Sequence, residues 1–266
     1  MNLELLSQVP RKITHPAPIL FVHGAWHGAW CWEKYFMPWF AAQGFAVHAL
    51  SLRGHGGSDG ARGLRRYRVW HYVEDVHRVA SRLPRPPILV GHSLGGHVVQ
   101  KYLETYPSPA AVLMASVPVG GIVKMIKRLA RNHPWLFFKV NFTLSLLPFV
   151  ATPEMAREML FSQDMAEKDV LEYYGKLQDE SYSCFLDMVA FAPIRPRRVK
   201  TPVLVMGAEN DNVFYRRDIR KTGRAYNRKA VILPDTAHDI MLEKNWRKAA
   251  EIILAWLEAQ EKASAR

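Results

Sequence analysis

The segment Gly91-His92-Ser93-Leu94-Gly95 contains a serine in a setting that can make its hydroxyl a nucleophile. It has the spacing G-x-S-x-G and lies between a short apolar run, Ile88 to Val90, and a helical pattern. A tight turn from strand to helix holds a serine hydroxyl clear of the sheet, and the flanking glycines avoid the collisions that a Cβ would make. Free N–H groups at the helix start would stabilise charge on a bound carbonyl oxygen. The segment therefore predicts a nucleophilic Ser93.

A serine hydroxyl needs a base, and the base needs an acid that fixes its tautomer. In strand-turn-helix serine sites, both follow the serine along the chain. His238 is the only histidine after His133, and it lies in a loop between the last apolar run and the last helical pattern. It is therefore the predicted base. His23 and His92 are interpreted as buried residues that brace their loops, with His92 facing away from Ser93.

The acid is expected in the loop that follows the apolar run Val203 to Met206. The segment 207–213 contains two candidates there, Glu209 and Asp211. Asp211 is favoured because it lies deeper in the loop and next to an apolar residue that can anchor it, and Glu209 is the alternative. The segment 116–120 contains no carboxylate, which excludes the loop after the preceding apolar run as a source of the acid.

An acyl-transfer reaction also needs two backbone N–H groups aimed at the developing oxyanion. Leu94, directly after the serine, is predicted to supply one of them. The second is expected from the loop after the apolar run Ile19 to Val22. Gly24 permits a sharp reversal of the chain in that loop, and the N–H of Ala25 is the predicted donor.

A parallel sheet can bring these loops together. Short apolar runs without alternation suit strands that are buried on both faces. The predicted strands are 19–22, 45–52, 88–92, 110–115, 203–206 and 230–233, and the predicted helices are 30–43, 69–83, 94–106, 214–225 and 243–261. The lead-in 1–16 has room for one or two short strands. The alternation predicts an α/β fold in which helices cover both faces of a mostly parallel sheet.

The alternation is interrupted by residues 119–199, which contain no convincing buried strand and are rich in Met, Phe and Leu. Residues 1–118 and 200–266 are therefore predicted to form the core, and residues 119–199 a helical cap. Open α/β sheets bind ligands at the carboxyl ends of their strands, where this insertion begins. We expect the cap to cover the site; the alternative is a set of surface helices without a role.

The start of the cap segment predicts an amphipathic helix. Its apolar residues Ile122, Met125, Ile126 and Leu129 lie opposite the basic residues Lys124, Lys127, Arg128 and Arg131. We expect the apolar face to pack over the active site, and contact with an anionic membrane surface is the alternative. Apolar material for a substrate pocket is expected from Trp135, Phe137, Phe138, Met155, Phe161 and Phe185.

Composition narrows the class of protein. The net charge of +12 is spread along the chain rather than concentrated in a tail, so a nucleic-acid partner is not expected. Two cysteines, Cys31 and Cys184, are too few for a disulfide framework. The first residues lack the pattern of a signal peptide, and no apolar run reaches the length of a membrane span. These features predict a cytoplasmic protein, and no motif suggests a cofactor or a metal.

The motifs together resemble the α/β-hydrolase superfamily, in its capped esterase and lipase branch. The resemblance rests on His23-Gly24, Arg53-Gly54-His55-Gly56, Gly91-His92-Ser93-Leu94-Gly95, Asp211 and His238. The segment 23–32 looks like the methylesterase and hydroxynitrile-lyase group. The segment 53–56 is more typical of bacterial esterases, lysophospholipase-like enzymes and carbon–carbon bond hydrolases. The resemblance implies a cofactor-free mechanism. Haloalkane dehalogenases and epoxide hydrolases have an aspartate nucleophile where this chain has Ser93, so these two branches of the superfamily are excluded.

The leading hypothesis is a serine hydrolase that cleaves small to medium acyl or lipid-like esters through an acyl-enzyme. The expected partner is a small hydrophobic ester. A carbon–carbon bond hydrolase or a hydroxynitrile-lyase-like enzyme on the same fold is the second hypothesis. A non-catalytic binding protein is the third.

Overall fold

The computed structural model describes residues 1–264, and its centre is one sheet of seven strands. The strands are β1 (Leu5–Gln8), β2 (Ile19–Val22), β3 (Val47–Leu50), β4 (Ile88–His92), β5 (Ala111–Met114), β6 (Val203–Ala208) and β7 (Val231–Leu233). Their order is β1-β3-β2-β4-β5-β6-β7. β1 runs antiparallel to β3, and all other neighbours are parallel. The predicted fold class is confirmed.

The central strands β2, β4, β5 and β6 are buried at every position. Helices on both faces exclude water from these strands, which explains why their sequences are apolar throughout rather than alternating. Val22 at the end of β2 pairs with Gly91 in β4, and His92 at the end of β4 pairs with Met114 in β5. This register brings the loops after β2 and β4 to one edge of the sheet.

The helices of the core follow the predicted order. They are α1 (Trp30–Glu33), α2 (Phe36–Ala42), α3 (Val69–Ala80), α4 (Ser93–Leu103), α10 (Arg216–Ala225) and α11 (Trp246–Ser264). The prediction of one helix over 30–43 is wrong, because the chain leaves helical geometry at Tyr35. Pro38 explains the break, since a proline ring inside a continuous helix would collide with the carbonyl four residues earlier, here that of Lys34.

The chain between β5 and β6 is helical, as predicted for the cap segment. Its helices are α5 (Val123–Asn132), α6 (Pro134–Thr143), α7 (Pro153–Leu160), α8 (Glu167–Tyr174) and α9 (Tyr182–Leu186), with 3-10 turns at Leu147–Val150 and Pro196–Arg198 and a π-helical turn at Asp187–Phe191. The described residues of this segment form no strand. Across residues 1–264, no helix combines the length and the apolar character that crossing a bilayer requires.

The cap segment is joined to the loop after β3 by polar contacts, one of them fully buried. Gln178 accepts a hydrogen bond from the N–H of Gly56 at 2.8 Å and donates one to the carbonyl of Gly54 at 2.8 Å. Glu180 lies 3.2 Å from His55, and both side chains are fully buried. The segment 53–56 therefore serves as an attachment point for the cap.

Candidate active site

Ser93 begins α4 directly after the last residue of β4, and its φ of +50° lies in the left-handed region. This conformation costs a non-glycine residue about 1–3 kcal/mol, so the surrounding structure must hold it. A Cβ at Gly95 would lie 2.3 Å from the carbonyl oxygen of His23, and one at Gly91 would lie 2.6 Å from the carbonyl oxygen of Gly95. Both positions therefore require glycine, and the turn is the strained elbow that the spacing predicts.

His238 and Asp211 form a buried pair. Nδ1 of His238 lies 3.0 Å from Oδ2 of Asp211, and each side chain is about 1% exposed. The other oxygen of Asp211 accepts hydrogen bonds from the N–H groups of Val213 and Phe214, at 2.7 and 2.9 Å. The carboxylate is thus held in place by its own loop while it orients the histidine ring.

Glu209, the alternative acid, does not contact His238 in this structure. Its carboxylate is on the surface, where it forms an ion pair with Arg216 at 2.8 Å. Of the two acids that the sequence left open, the structure brings only Asp211 within hydrogen-bonding distance of the histidine.

Ser93, Ala25 and Leu94 line one cavity under the cap segment. The other residues that line it are all apolar: Trp26, Val117, Ile122, Met125, Leu129, Leu146, Phe149, Met159, Phe185, Met188, Val213 and Phe214. Its volume is only about 40 Å³. Three methionines lie in the wall, and their flexible side chains can adapt to a ligand.

The amphipathic helix α5 packs its apolar face over this cavity. Ile122, Met125 and Leu129 all line it, which agrees with the favoured interpretation of the helix. Of the six residues expected to supply a substrate pocket, Phe185 does so. The expectation is wrong for Phe138, which is exposed, and for Phe161, which is buried against Tyr173. Helical spacing identifies residues on a shared face but not which face is turned toward the serine.

A second, larger groove adjoins the cavity on its outer side. Its volume is about 510 Å³, and its lining includes Trp135 and Met155. Leu129, Phe149 and Met159 line both spaces. The groove and the Ser93 cavity therefore share three apolar wall residues.

His23 braces the loop after β2, as predicted. It accepts a hydrogen bond from the N–H of Leu52 on Nε2 at 3.0 Å and donates one from Nδ1 to the carbonyl of Gly24 at 2.8 Å. Burial, reinforced by the nearby ring of His55, lowers its pKa well below the ordinary value. His23 is therefore a neutral structural residue and not a base.

A buried ion pair, which the sequence analysis missed, links the two loops beside Ser93. Nδ1 of His27 lies 2.7 Å from the carbonyl oxygen of Ala25, and Nε2 lies 2.9 Å from Oδ2 of Asp239. Both partners are acceptors, so the ring carries two protons. Burial by itself would lower the pKa of His27, but the Asp239 carboxylate outweighs it and raises this pKa. The pair ties the Ala25 loop to the His238 loop.

His92 lies beside the predicted base rather than only bracing its own strand end. Its Nε2 donates a hydrogen bond to the carbonyl of His238 at 3.1 Å, and the two rings are 4.9 Å apart. Burial is the main cause that lowers the pKa of His92 to about 3, so the ring is neutral. It supports the main chain that carries His238.

Three groups near the site have the chemistry of metal ligands. Atoms of His92, His238 and Asp239 lie within 4.8 Å of one another. However, the carboxylate of Asp239 is already paired with Nε2 of His27 at 2.9 Å. The His27 imidazolium, paired with Asp239, would also repel a cation. This cluster fits a charge network better than a metal site.

We expect Asp239→Asn to lower the free energy of unfolding by about 3–5 kcal/mol, because it leaves a buried histidine without its counter-ion. The pKa of Asp239 is lowered because His27 outweighs burial, so its contribution is present above the ordinary aspartate pKa of 3.8 and is lost as the pH falls through the folded-state pKa. The pKa of His27 is raised, so its contribution is complete below the ordinary histidine pKa of 6.5 and is lost as the pH rises through the folded-state pKa.

Urea unfolding across pH 3 to 9 measures the difference in the free energy of unfolding between the wild type and Asp239→Asn. It should be largest between the two ordinary pKa values, from 3.8 to 6.5, and shrink on either side. Asp235→Asn is the matched control, since Asp235 is an exposed acid in the same loop. A loss that does not change with pH, or an equal loss in the control, would contradict the assigned pair.

The sequence of residues 19–252 matches the family described as the alpha/beta hydrolase family. The match covers most of the chain. The chain belongs to this family. The family resemblance that rested on the elbow and its partner motifs is therefore confirmed.

Sequence relatives of this alpha/beta hydrolase include named hydrolases. It is 33% identical over 96 residues to a pyrethroid hydrolase of Sphingobium wenxiniae, which is 36% of this chain and 34% of that relative. It is 35% identical over 97 residues to methylesterase 3 of Arabidopsis thaliana, which is 35% of this chain and 36% of that relative. The matches thus span about a third of the length of these relatives.

Solved structures of similar fold cover nearly the whole chain. A monoacylglycerol lipase of Paleococcus ferrophilus superposes with a TM-score of 0.74 at 22% identity, over 98% of this chain and 100% of the lipase. A thermophilic esterase of Thermogutta terrifontis gives a TM-score of 0.76 at 17% identity, over 97% and 93% of the two chains. At these identities the likeness establishes the fold of the alpha/beta hydrolase.

Proposed function

We propose that this alpha/beta hydrolase cleaves small to medium acyl or lipid-like carboxylic esters with Ser93 as nucleophile, His238 as base and Asp211 as the orienting acid. The observation that carries the proposal is the hydrogen bond of 3.0 Å between His238 and Asp211, in a site where a strained elbow holds Ser93 at an apolar cavity. The proposed chemistry uses only side chains and main-chain groups of this chain.

The first half-reaction forms an acyl-enzyme. His238 donates Nδ1–H to Asp211, which leaves its Nε2 free to accept the proton of the Ser93 hydroxyl. The serine oxygen attacks the ester carbonyl, and the carbonyl oxygen becomes an oxyanion. In the proposal, the N–H groups of Ala25 and Leu94 bind this oxyanion. The protonated His238 then gives its proton to the leaving alcohol as the C–O bond breaks.

The second half-reaction releases the acid. Water replaces the alcohol, and His238 takes a proton from it as it attacks the acyl carbonyl. The same pair of N–H groups stabilises the second oxyanion. When this intermediate collapses, His238 returns its proton to Ser93 and the carboxylic acid leaves. The enzyme is restored, and the net reaction consumes one ester and one water.

An apolar ester is the substrate class that this cavity favours. Its wall beside Ser93 is made of aliphatic, aromatic and methionine side chains, which bind acyl groups by removing their surface from water. The relatives named pyrethroid hydrolase and methylesterase 3 add support for hydrolysis, and the latter for esters in particular. The small volume of the cavity favours short acyl groups over long ones.

The experiment that tests the proposal is a panel of p-nitrophenyl acetate, butyrate, octanoate and palmitate, each kept below its aggregation limit. We expect the acetate and butyrate esters to give the highest kcat/KM and the palmitate ester the lowest, because the cavity above Ser93 is narrow. A fluorophosphonate probe should label Ser93 in parallel. Absence of both hydrolysis and labelling would favour a binding protein on this fold.

The lyase and carbon–carbon hydrolase alternatives predict different products. Cyanohydrin cleavage in the related group requires a lysine near the site, and none lines the cavity in the described part of the chain. We therefore expect no cyanide from a cyanohydrin, and the ester proposal predicts no dienoate from a ring-cleavage product. Release of either, with no turnover of esters, would replace the ester proposal.

A cytoplasmic location is part of the proposal. Its support is that Cys31 and Cys184 are both buried and unpaired, which suits a reducing compartment.

A further inference from the structure

Helix α6 carries a row of exposed aromatic side chains. Trp135, Phe138 and Phe142 are 77%, 56% and 78% exposed. Their rings stack in sequence, at 5.6 Å between the first two and 6.0 Å between the last two. We call these three residues the aromatic row. Leu144 and Leu147, directly after the helix, are also exposed. Side chains of this size that remain in water mark an interaction surface.

The charge around the aromatic row is strongly positive. No Asp or Glu occurs between Glu104 and Glu154, whereas α5 and α6 carry Lys124, Lys127, Arg128, Arg131 and Lys139. Two carboxylates from other parts of the chain form ion pairs here: Asp218 with Lys124, and Glu158 with His133.

Some of this charge is not neutralised. Lys127, Arg131 and Lys139 are exposed and form no ion pair within residues 1–264. They can therefore attract an anionic partner to the same helix pair that carries the aromatic row.

The apolar face of α5, where the sequence suggested a membrane contact, is not available. It is covered because Ile122, Met125 and Leu129 line the Ser93 cavity. On α5, Lys127 and Arg131 are exposed and without an ion pair among the described residues, while α6 supplies exposed apolar side chains. The two requirements of an interfacial surface, apolar residues to insert and cations to attract, are thus divided between two consecutive helices.

We propose that the aromatic row, with Lys127 and Arg131 of α5 and Lys139 of α6, docks this protein on an anionic lipid surface. Aromatic side chains at the headgroup level bury apolar area, and nearby lysines and arginines are attracted to anionic headgroups. Trp135 also lines the outer groove, whose wall residues Leu129, Phe149 and Met159 are shared with the Ser93 cavity. A docked molecule would therefore face the lipid with the groove that shares wall residues with the Ser93 cavity.

Lipid fits this surface better than a second copy of the chain or a nucleic acid. A symmetric dimer through α6 would bring the unpaired lysines and arginines of two copies together, and their repulsion opposes association. Exposed leucines beside the rings add area that only an apolar partner uses.

Vesicle sedimentation tests the proposal. We expect the wild type to bind vesicles of phosphatidylcholine with one third phosphatidylglycerol, and to bind pure phosphatidylcholine vesicles much more weakly. Phe138→Ser with Phe142→Ser should weaken binding at least about tenfold, because it removes inserted apolar area. The control Phe191→Ser, an exposed aromatic on another part of the surface, should change binding less than about twofold.

A second set of variants tests the charge. Lys127→Gln, Arg131→Gln and Lys139→Gln together should weaken binding at least about tenfold. The same charge change on α10, Arg220→Gln with Lys221→Gln and Arg224→Gln, should have a much smaller effect. Added salt should weaken binding of the wild type.

Hydrolysis of p-nitrophenyl acetate in solution should be unchanged in the Phe138→Ser, Phe142→Ser variant. Unchanged hydrolysis would show that this variant is folded. Ser93→Ala should bind vesicles as the wild type does, so failure of the ester proposal would not affect this one. The proposal is overturned if anionic vesicles do not bind the wild type or if the control variants lose binding equally. It is also overturned if the wild type is a dimer that the phenylalanine variant dissociates, or if single-stranded RNA binds in preference to vesicles.

Discussion

Ser93→Ala should reduce kcat for p-nitrophenyl acetate at least about 10⁴-fold. The hydroxyl proposed to form the covalent bond is lost, while the cavity, the His238–Asp211 pair and the proposed oxyanion donors remain. Only water activated by the remaining groups can then attack the ester. Stopped assays with purified variant, corrected for spontaneous hydrolysis, give the comparison.

Ser116→Ala is the matched control for this variant. Ser116 is a buried serine in the loop after β5, where it contacts Gln100 and does not line the Ser93 cavity. We expect it to keep kcat within a few-fold of the wild type, and fluorophosphonate labelling to be lost only in Ser93→Ala. If Ser93→Ala keeps more than about one hundredth of wild-type kcat, a second nucleophile is responsible.

Asp211→Asn should lower kcat about 10⁴-fold. The asparagine amide can present an N–H to Nδ1 of His238, which favours the tautomer whose proton is on Nε2. That nitrogen then cannot accept the serine proton. The remaining amide oxygen can still accept the loop hydrogen bonds from Val213 and Phe214, so the fold should be retained. Thermal unfolding monitored beside kcat separates the two effects.

Glu209→Gln is the matched control, because it removes one charge from the same loop. Its carboxylate is exposed and paired with Arg216, so we expect kcat to stay within about twofold of the wild type. A large loss in Glu209→Gln, together with a small loss in Asp211→Asn, would assign the acid to Glu209 instead.

The local sequence was sufficient to predict the strand order along the chain, the elbow and the helical segment between β5 and β6. A strand buried on both faces is a continuous apolar run, and a serine elbow requires two glycines at fixed distances from the serine. Both patterns can therefore be recognised within a few neighbouring residues. The chain order also limited the predicted base to His238. For the acid it limited the choice to one loop, where Asp211 and Glu209 remained.

Contacts between distant residues depended on the tertiary structure. His27 and Asp239 are 212 residues apart, and no spacing rule connects two such residues before the sheet brings their loops together. The same holds for His92, whose partner is a main-chain carbonyl of the His238 loop.

The sequence by itself determined the α/β class, the α/β-hydrolase resemblance and the residues proposed for chemistry, because these depend on periodicity and on short motifs. Tertiary structure decided which acid contacts His238, because both acids lie in one loop and only folding directs one of them inward. It also decided which apolar cap residues are buried over Ser93 and which, as in the aromatic row, remain in water. Helical spacing groups side chains on a face, but the packing of helices on the sheet determines which face meets solvent.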